Sequence, residues 1–261
     1  MGENTAIPAL GPARGLLLFV LGSCIGSFLN VCITRLPEGE SIVFPPSHCR
    51  ACKRRLPAWA GVPLVSYLLL RARCAGCGVR ISLRYFLVEL CVAAMTPAWY
   101  RRFGPGPAFP AQLSFAGVLL AAAVIDFETG TIPDVISVYG TAWGFVLSWC
   151  APALSIHGWP SPGDSLAGAL LGGAVLLATA LGYRALAGRD GLGGGDVKLL
   201  AMIGSFVGWE GVPWILFLSA LAGSLWGLGL MVLRRDVSAA TPLPFGPFLC
   251  LGTLLRVLGR K

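Results

Sequence analysis

Two aspartates stand at the edges of apolar segments, where a carboxylate is costly to bury and is a candidate for chemistry. Asp126 directly follows the apolar run 112–125. Asp196 follows three consecutive glycines and precedes the apolar run 197–207. Two carboxyls that lie close together share a proton, so the ionised one can activate water while the protonated one polarises a carbonyl. Such a pair hydrolyses a peptide bond without a metal, and the glycines would let an extended peptide approach closely.

Each aspartate also has a structural interpretation. Asp126 alone could be a helix-end carboxylate that meets water, and Asp196 alone could cap the amino terminus of a helix. Two full spans are predicted between the aspartates, so both should lie at the same membrane boundary. This shared boundary would allow them to form a pair and therefore favours catalysis.

Three further charged residues lie near these segments. Asp134 follows Pro133 and is explained by a favourable position in the first turn of a helix. Lys198 could tune the ionisation of Asp196 or mark the membrane edge. Glu89, inside an apolar segment, could bond a polar group on another helix or take part in binding.

Four cysteines form the second candidate site. Cys49 and Cys52 make one Cys-x-x-Cys pair, and Cys74 and Cys77 make another after the intervening residues 53–73. Two such turns can place four thiolates in a tetrahedron around Zn²⁺. We expect a structural zinc site, because a shell of four cysteines leaves no open position for catalysis. A thiol redox role and four free cysteines are the alternatives.

His48, next to the first pair, could replace one of the thiolates as a ligand. The four cysteines already close the shell, so we predict Zn²⁺ ligands at the cysteines alone. No His-Glu-x-x-His stretch occurs in the sequence, so a zinc protease is not supported.

The composition places both sites in a membrane protein. The 261 residues are 56% hydrophobic and only 12% charged, with a mean hydropathy of +0.75. A soluble domain carries about twice that charged fraction, so a disordered chain, a secreted disulfide-rich mini-protein and an ordinary cytosolic enzyme are excluded. We predict an all-α polytopic membrane protein with about eight transmembrane helices, at 16–33, 85–100, 112–125, 133–150, 165–186, 197–207, 213–233 and 245–258.

The basic residues predict the orientation of these spans. Nine of the 20 Lys and Arg residues lie from Arg35 to Arg84, between the first two helices, so this insert should be cytoplasmic. Eight crossings then place fourteen of the 20 inside, and Asp126 and Asp196 face the cytoplasm. The later inside residues are Arg184, Arg189, Lys198, Arg234 and Arg235, whereas the carboxy-terminal Arg256, Arg260 and Lys261 fall outside unless one late span is lost.

The net charge of +8 is explained by this placement at membrane edges. We therefore expect no nucleic-acid partner, and we expect the basic insert to lie near anionic lipid headgroups. The predicted regions are an amino-terminal helix over 1–35, a small zinc-binding cytoplasmic domain over 36–84 and a membrane core over 85–261.

These residues together resemble the type IV prepilin peptidases, bifunctional leader peptidases and N-methyltransferases of the bacterial inner membrane. The resemblance covers nearly the whole chain. The matching motifs are Gly26-Ser27-Phe28-Leu29-Asn30-Val31, Arg35-Leu36-Pro37, the four cysteines, Arg84-Tyr85-Phe86-Leu87-Val88-Glu89, Ile125-Asp126 with Ile132-Pro133-Asp134, Gly193 to Asp196, and Pro244-Phe245-Gly246-Pro247. The Gly-x-Gly-Asp motif also occurs in presenilin-like intramembrane proteases.

The resemblance implies a multi-pass enzyme of the inner membrane whose catalytic pair, Asp126 and Asp196, faces the cytoplasm. It would cleave prepilins or pseudopilins after a short basic leader, usually following a Gly, and then methylate the new amino terminus with S-adenosylmethionine. Glu89 is the candidate residue for the methyl-donor site, which the sequence otherwise leaves unplaced. Type IV pili, type II secretion and DNA uptake are all possible settings.

Three alternatives stay open at this point. One is a peptidase that has lost the methylation step. Another is a membrane transporter or channel with a zinc-stabilised cytoplasmic lid, because intramembrane carboxylates also serve proton relays. The third is a non-catalytic assembly factor, against which the two intact aspartate motifs argue.

Overall fold

The computed structural model describes residues 10–154, 156, 158–188, 191–233 and 244–259. These residues form nine α-helices and two short 3-10 helices, and they contain no β-strand beyond isolated bridges. The α-helices are α1 (Pro12–Arg35), α2 (Val65–Leu69), α3 (Leu83–Phe103), α4 (Ala108–Thr129), α5 (Asp134–Cys150), α6 (Pro162–Ala187), α7 (Gly194–Val207), α8 (Gly211–Leu233) and α9 (Gly246–Gly259). Five residues used to predict orientation lie outside the described residues: Arg189, Arg234, Arg235, Arg260 and Lys261.

Each of the eight apolar segments forms a helix, so the all-α prediction is confirmed. Four helical stretches are long and apolar enough to cross a membrane, namely Pro12–Glu38, Ala108–Thr129, Pro162–Ala187 and Gly211–Leu233. By contrast, α7 has 14 residues and is about 21 Å long. It is therefore shorter than a hydrocarbon core of about 30 Å.

The chain divides into two compact units, Met1–Gly117 and Val118–Lys261. In the first unit, α1 packs along α3. Glycines make this approach possible: a Cβ on Gly22 would lie 2.7 Å from the carbonyl oxygen of Val92, and a Cβ on Gly26 would lie 2.7 Å from Glu89 Cα. The spacing Gly-x-x-x-Gly thus forms the contact surface of a close helix pair, as is common in membranes.

In the second unit, α7 packs against both α5 and α6, and α8 packs against α9. The helix α7 is the buried element of this unit, since Leu199, Leu200 and Ile203 are 0% exposed. A Cβ on Gly168 of α6 would overlap the carbonyl oxygen of Gly204, so the absence of a side chain at this position lets the backbones of α6 and α7 come together. This packing fixes the amino-terminal end of α7, which carries Asp196.

Candidate active site and metal centre

Asp126 lies in the last turn of α4, with only 5% of its surface exposed. Its Oδ2 atom accepts a hydrogen bond from the backbone N–H of Gly246, the first residue of α9, at 3.0 Å. A Cβ on Gly246 would lie 2.7 Å from the same oxygen, so a residue with a side chain could not approach in this way. The late Pro-Phe-Gly-Pro motif therefore contributes a backbone donor to Asp126.

Asp196 lies in the first turn of α7 and is 8% exposed. The N-cap position of α7 belongs to Gly193, whose carbonyl accepts the N–H of Asp196 at 3.1 Å. The interpretation of Asp196 as a helix cap is therefore wrong. Among the described residues, none forms a hydrogen bond with its buried Oδ1 atom, and a buried acceptor without a partner is costly.

The two carboxylates are linked through Ile132. A Cβ on Gly195, which precedes Asp196, would lie 3.2 Å from Ile132 Cβ, and a Cβ on Gly246, the donor to Asp126, would lie 3.2 Å from Ile132 Cδ1. Cys250, one turn into α9, is 2% exposed. The structure thus brings together the two aspartates that the sequence singled out, at the meeting point of α4, α7 and α9. Sequence reasoning missed Gly246 as a hydrogen-bond donor, although the motif around it was visible.

Lys198 and Asp134 form an ion pair next to the aspartates. The Lys198 Nζ atom lies 2.7 Å from Asp134 Oδ1, and both side chains are about half exposed, at 47% and 64%. Asp134 does occupy the first turn of α5, which confirms that prediction. The pairing was not predicted, because Asp134 is 64 residues away in sequence and neither interpretation of Lys198 involved it.

The four cysteines of the first unit converge. Their Sγ atoms all lie within 4.8 Å of one another, and Cys49 Sγ is 3.8 Å from Cys77 Sγ. A tetrahedron of thiolates at about 2.3 Å from Zn²⁺ has sulfur–sulfur edges of about 3.8 Å, so the donor set fits this metal. His48 is not part of this cluster: its Nδ1 atom lies 3.1 Å from the carbonyl oxygen of Pro46.

The two cysteine pairs are built on the same turn. Equivalent backbone hydrogen bonds recur in the two pairs: Cys49 N to Arg54 O at 2.9 Å, Lys53 N to Cys49 O at 2.8 Å, Cys74 N to Val79 O at 2.9 Å, and Gly78 N to Cys74 O at 2.9 Å. In each turn the fifth residue has a positive φ, 54° at Lys53 and 71° at Gly78. The local sequence alone therefore orients the thiols of each pair.

Backbone N–H groups stabilise the thiolate form at Cys74. Hydrogen bonds from the backbone of Cys77 and Gly76 lower the pKa of the Cys74 thiol below its ordinary value. The Gly76 N–H lies 3.3 Å from Cys74 Sγ. Thiolates are the metal-binding form of cysteine, so the turn itself prepares this ligand.

Glu89, the candidate for the methyl-donor site, is buried in α3 with 8% of its surface exposed. Its Oε2 atom accepts the backbone N–H of Leu64 at 2.7 Å. Leu64 belongs to the cysteine-bearing insert and has a φ of 60°, so the carboxylate holds a bent segment of the insert against the α1–α3 pair.

Two basic residues also attach the insert to the end of α1. The buried Arg35 donates to the carbonyl oxygens of Ser41 at 2.8 Å and Pro45 at 2.7 Å. Arg50 lies 2.7 Å from Glu38 in an exposed ion pair. Sequence reasoning used the basic residues of this region to predict orientation, lipid contact and the family resemblance, and it did not anticipate that Arg35 fixes the course of the chain.

The chain is similar to known proteins along most of its length. Residues 20–103 match the Bacterial Peptidase A24 N-terminal domain, and residues 113–228 match the Type IV leader peptidase family. A prepilin leader peptidase/N-methyltransferase of Aeromonas hydrophila is 35% identical over 93% of this chain and 89% of the relative. The protein of the same name from Pseudomonas aeruginosa is 34% identical over 93% and 89%.

A third relative of that name, from Myxococcus xanthus, is 38% identical over 88% of this chain and 67% of its own length. No solved structure was found to match the chain. The two matched regions cover both the cysteine cluster and the aspartate pair, except that Gly246 lies beyond residue 228.

Proposed function

The chain belongs to the type IV leader peptidase family, and from this we propose that it is a membrane aspartic endopeptidase acting on prepilins or pseudopilins. Asp126 and Asp196 are the proposed catalytic residues, which cut the leader from its substrate. The observation that carries this proposal is the buried carboxylate pair, in which Asp126 is held by the Gly246 N–H and, among the described residues, Asp196 Oδ1 has no hydrogen-bond partner.

The geometry suggests how the two aspartates divide the work. A carboxylate that accepts a backbone N–H is suited to remain ionised, so we assign water activation to Asp126. Asp196, whose Oδ1 atom has no hydrogen-bond partner within the described part of the chain, then holds the proton that polarises the scissile carbonyl. When water attacks, Asp126 takes a proton from the water and Asp196 gives its proton to the carbonyl oxygen, which yields a tetrahedral diol. As the carbon–nitrogen bond breaks, Asp126 passes its proton to the leaving amine and Asp196 recovers a proton from a hydroxyl of the diol, so both aspartates return to their starting states.

The second proposed activity is methylation of the new amino terminus, with S-adenosylmethionine as the methyl donor, as the names of the relatives imply. Glu89 is a poor fit for the donor site in this conformation, because its carboxylate already accepts the Leu64 N–H at 2.7 Å. That contact favours a structural role for Glu89.

We propose that the four cysteines hold a structural Zn²⁺, supported by their sulfur separations. The bound metal would cross-link the two turns of the insert. The ligands Cys49, Cys52, Cys74 and Cys77 fill a tetrahedral shell, so the metal would take no part in peptide-bond chemistry.

For topology we propose eight crossings of the bacterial inner membrane, with the active site and the insert on the cytoplasmic side. Nine basic residues from Arg35 to Arg84 support a cytoplasmic insert. We also propose a zinc domain over 36–84 and a peptidase core over 85–261 as functional regions. Their boundary differs from that of the two compact units, which divide after Gly117.

A processing assay tests the proposal. Purified protein is mixed with a prepilin and S-adenosylmethionine labelled on the methyl group, and the products are analysed by mass spectrometry. Cleavage and a methyl increment are expected from the wild type. Cleavage without the increment would reject the second activity, and ion flux in proteoliposomes without any cleavage would favour a transporter or channel.

Asp126→Asn and Asp196→Asn should each abolish cleavage, by about a thousandfold or more, because removing a catalytic group costs several kcal/mol of transition-state stabilisation. Asp164→Asn is the matched control. Asp164 lies in the first turn of α6, where it accepts a hydrogen bond from Ser161. Cleavage by either purified, folded variant of the pair would rule out the proposed roles.

A further inference from the structure

Ile132 lies in the short connection between α4 and α5 and is 7% exposed. Its side chain contacts two glycines that are far apart in sequence. A Cβ on Gly195 would lie 3.2 Å from Ile132 Cβ, and a Cβ on Gly246 would lie 3.2 Å from Ile132 Cδ1. A side chain at Gly195 or at Gly246 would therefore crowd Ile132.

These two glycines are the backbone supports of the aspartate pair. Gly195 immediately precedes Asp196 in the first turn of α7. The N–H of Gly246 donates to Asp126 Oδ2 at 3.0 Å. Ile132 therefore lies against both the backbone that precedes Asp196 and the backbone that donates to Asp126.

The connection that carries Ile132 is fixed at both ends. On the α4 side, the Gly130 N–H donates to the Asp126 carbonyl oxygen at 2.8 Å, with a φ of 65° that glycine adopts readily. On the α5 side, Asp134 pairs with Lys198 at 2.7 Å. Lys198 lies only two residues after Asp196, so this ion pair attaches the connection to the same turn of α7 that Ile132 touches.

We propose that Ile132 is a positioning residue, a spacer that sets the separation of Asp126 and Asp196, and that the Asp134–Lys198 pair holds the spacer in place. This inference rests on the proposed peptidase function. The two carboxylates must hold one water and one carbonyl between them. A displacement of about 1 Å in such an arrangement can lower the rate about a hundredfold.

The test compares three variants in the prepilin cleavage assay, with kcat and KM measured separately. Ile132→Ala should lower kcat about tenfold to a hundredfold and change KM by less than about twofold, because the spacer does not touch the substrate. Ile132→Val keeps the branched Cβ beside Gly195 and loses only the Cδ1 atom that faces Gly246, so it should lower kcat less than Ile132→Ala does, by about threefold.

Ile136→Ala is the matched control. Ile136 is also an isoleucine with 7% exposure, four residues further along in α5. If both alanine variants lose similar thermal stability while only Ile132→Ala loses kcat, the spacer role is supported. An unchanged kcat in Ile132→Ala, or an equal loss in the two alanine variants, would overturn it.

A second measurement does not depend on a buried substitution. Lys198→Met should lower kcat about threefold, whereas Arg50→Met, which breaks the exposed Arg50–Glu38 pair of equal length, should leave kcat unchanged. Equal kcat values in the two variants would remove the ion pair from the proposal.

The wild type separates the proposed peptidase function from the proposed spacer role. If the wild type does not cleave, the proposed function fails. If the wild type cleaves and Ile132→Ala cleaves as fast, only the spacer role fails.

Discussion

The cysteine cluster and the aspartate pair are built in opposite ways. Each half of the cluster is one tight turn, closed by backbone hydrogen bonds between residues at most five positions apart, and Cys52 and Cys77 remain exposed. The aspartate pair is assembled from the ends of helices, and the donor to Asp126 comes from a residue 120 positions away. Both aspartates are buried.

This difference indicates what stabilises each site. A turn that already orients its thiols lacks an apolar core of its own, so we expect the insert to depend on the proposed metal and on its few attachments to α1 and α3. The aspartates need no ligand to remain in place, because the packing of α7 and the contact with α9 determine their positions. Changes at one site should therefore leave the other largely intact.

The largest expected effect is the loss of zinc from the insert. Cys52→Ser combined with Cys77→Ser should remove the bound zinc and unfold the insert, since the binding energy of a structural zinc is folding energy. Leader cleavage by the same variant should stay within about tenfold of the wild type, because the metal takes no part in the chemistry.

Metal analysis and limited proteolysis of the insert measure the effect, and Cys150→Ser, at an exposed cysteine outside the cluster, is the control. Substoichiometric zinc in the wild type, or unchanged zinc in the double variant, would contradict the structural metal site. Complete loss of cleavage from a folded variant would show that the two sites are coupled.

The next effect concerns the long-range donor of the aspartate pair. Gly246→Ala should lower kcat for cleavage about tenfold to a hundredfold, because its Cβ would lie 2.7 Å from Asp126 Oδ2 and must displace the carboxylate. Gly223→Ala on α8 is the matched control, since its Cβ would meet Phe248 at an ordinary 3.5 Å. Zinc content should be unchanged in both, and an active Gly246→Ala would show that this close approach is dispensable.

The attachment of the insert to the helix pair should give a smaller effect. Glu89→Ala leaves the Leu64 N–H without its acceptor, and an unsatisfied buried donor costs about 1–3 kcal/mol. Hydrogen exchange at residues 62–66 should accelerate, while Glu89→Gln, which keeps an acceptor oxygen, should show less change. A loss of methyl-donor binding in Glu89→Gln with unchanged exchange would instead favour a donor site.

The sequence predicted the cysteine cluster more completely than the aspartate pair. The cluster is built from local turns, whereas the pair depends on helices that pack across long separations in sequence. The Cys-x-x-Cys spacing contains nearly all of the local geometry, so the cluster followed from residues 49–77. The helices also followed from apolar runs, with ends that differ from the predicted ones by at most four residues. Helix pairing did not follow, because contacts such as Asp134 with Lys198 and Asp126 with Gly246 depend on packing across 64 and 120 residues.

The smallest expected effect concerns the fifth residue of the two cysteine turns, which has a positive φ in both. Lys53 adopts a φ of 54° where the second turn has glycine at 71°, and a left-handed conformation costs a residue with a Cβ about 1 kcal/mol. Lys53→Gly should therefore stabilise the zinc-bound insert by about 0.5 kcal/mol, since the greater freedom of glycine in the unfolded chain offsets part of the gain. Lys53→Ala removes the same charge and keeps the Cβ, so it should give no such gain. Chemical denaturation of the insert, followed through release of zinc, measures both variants, and equal stability of the two would mean that charge rather than backbone conformation governs this position.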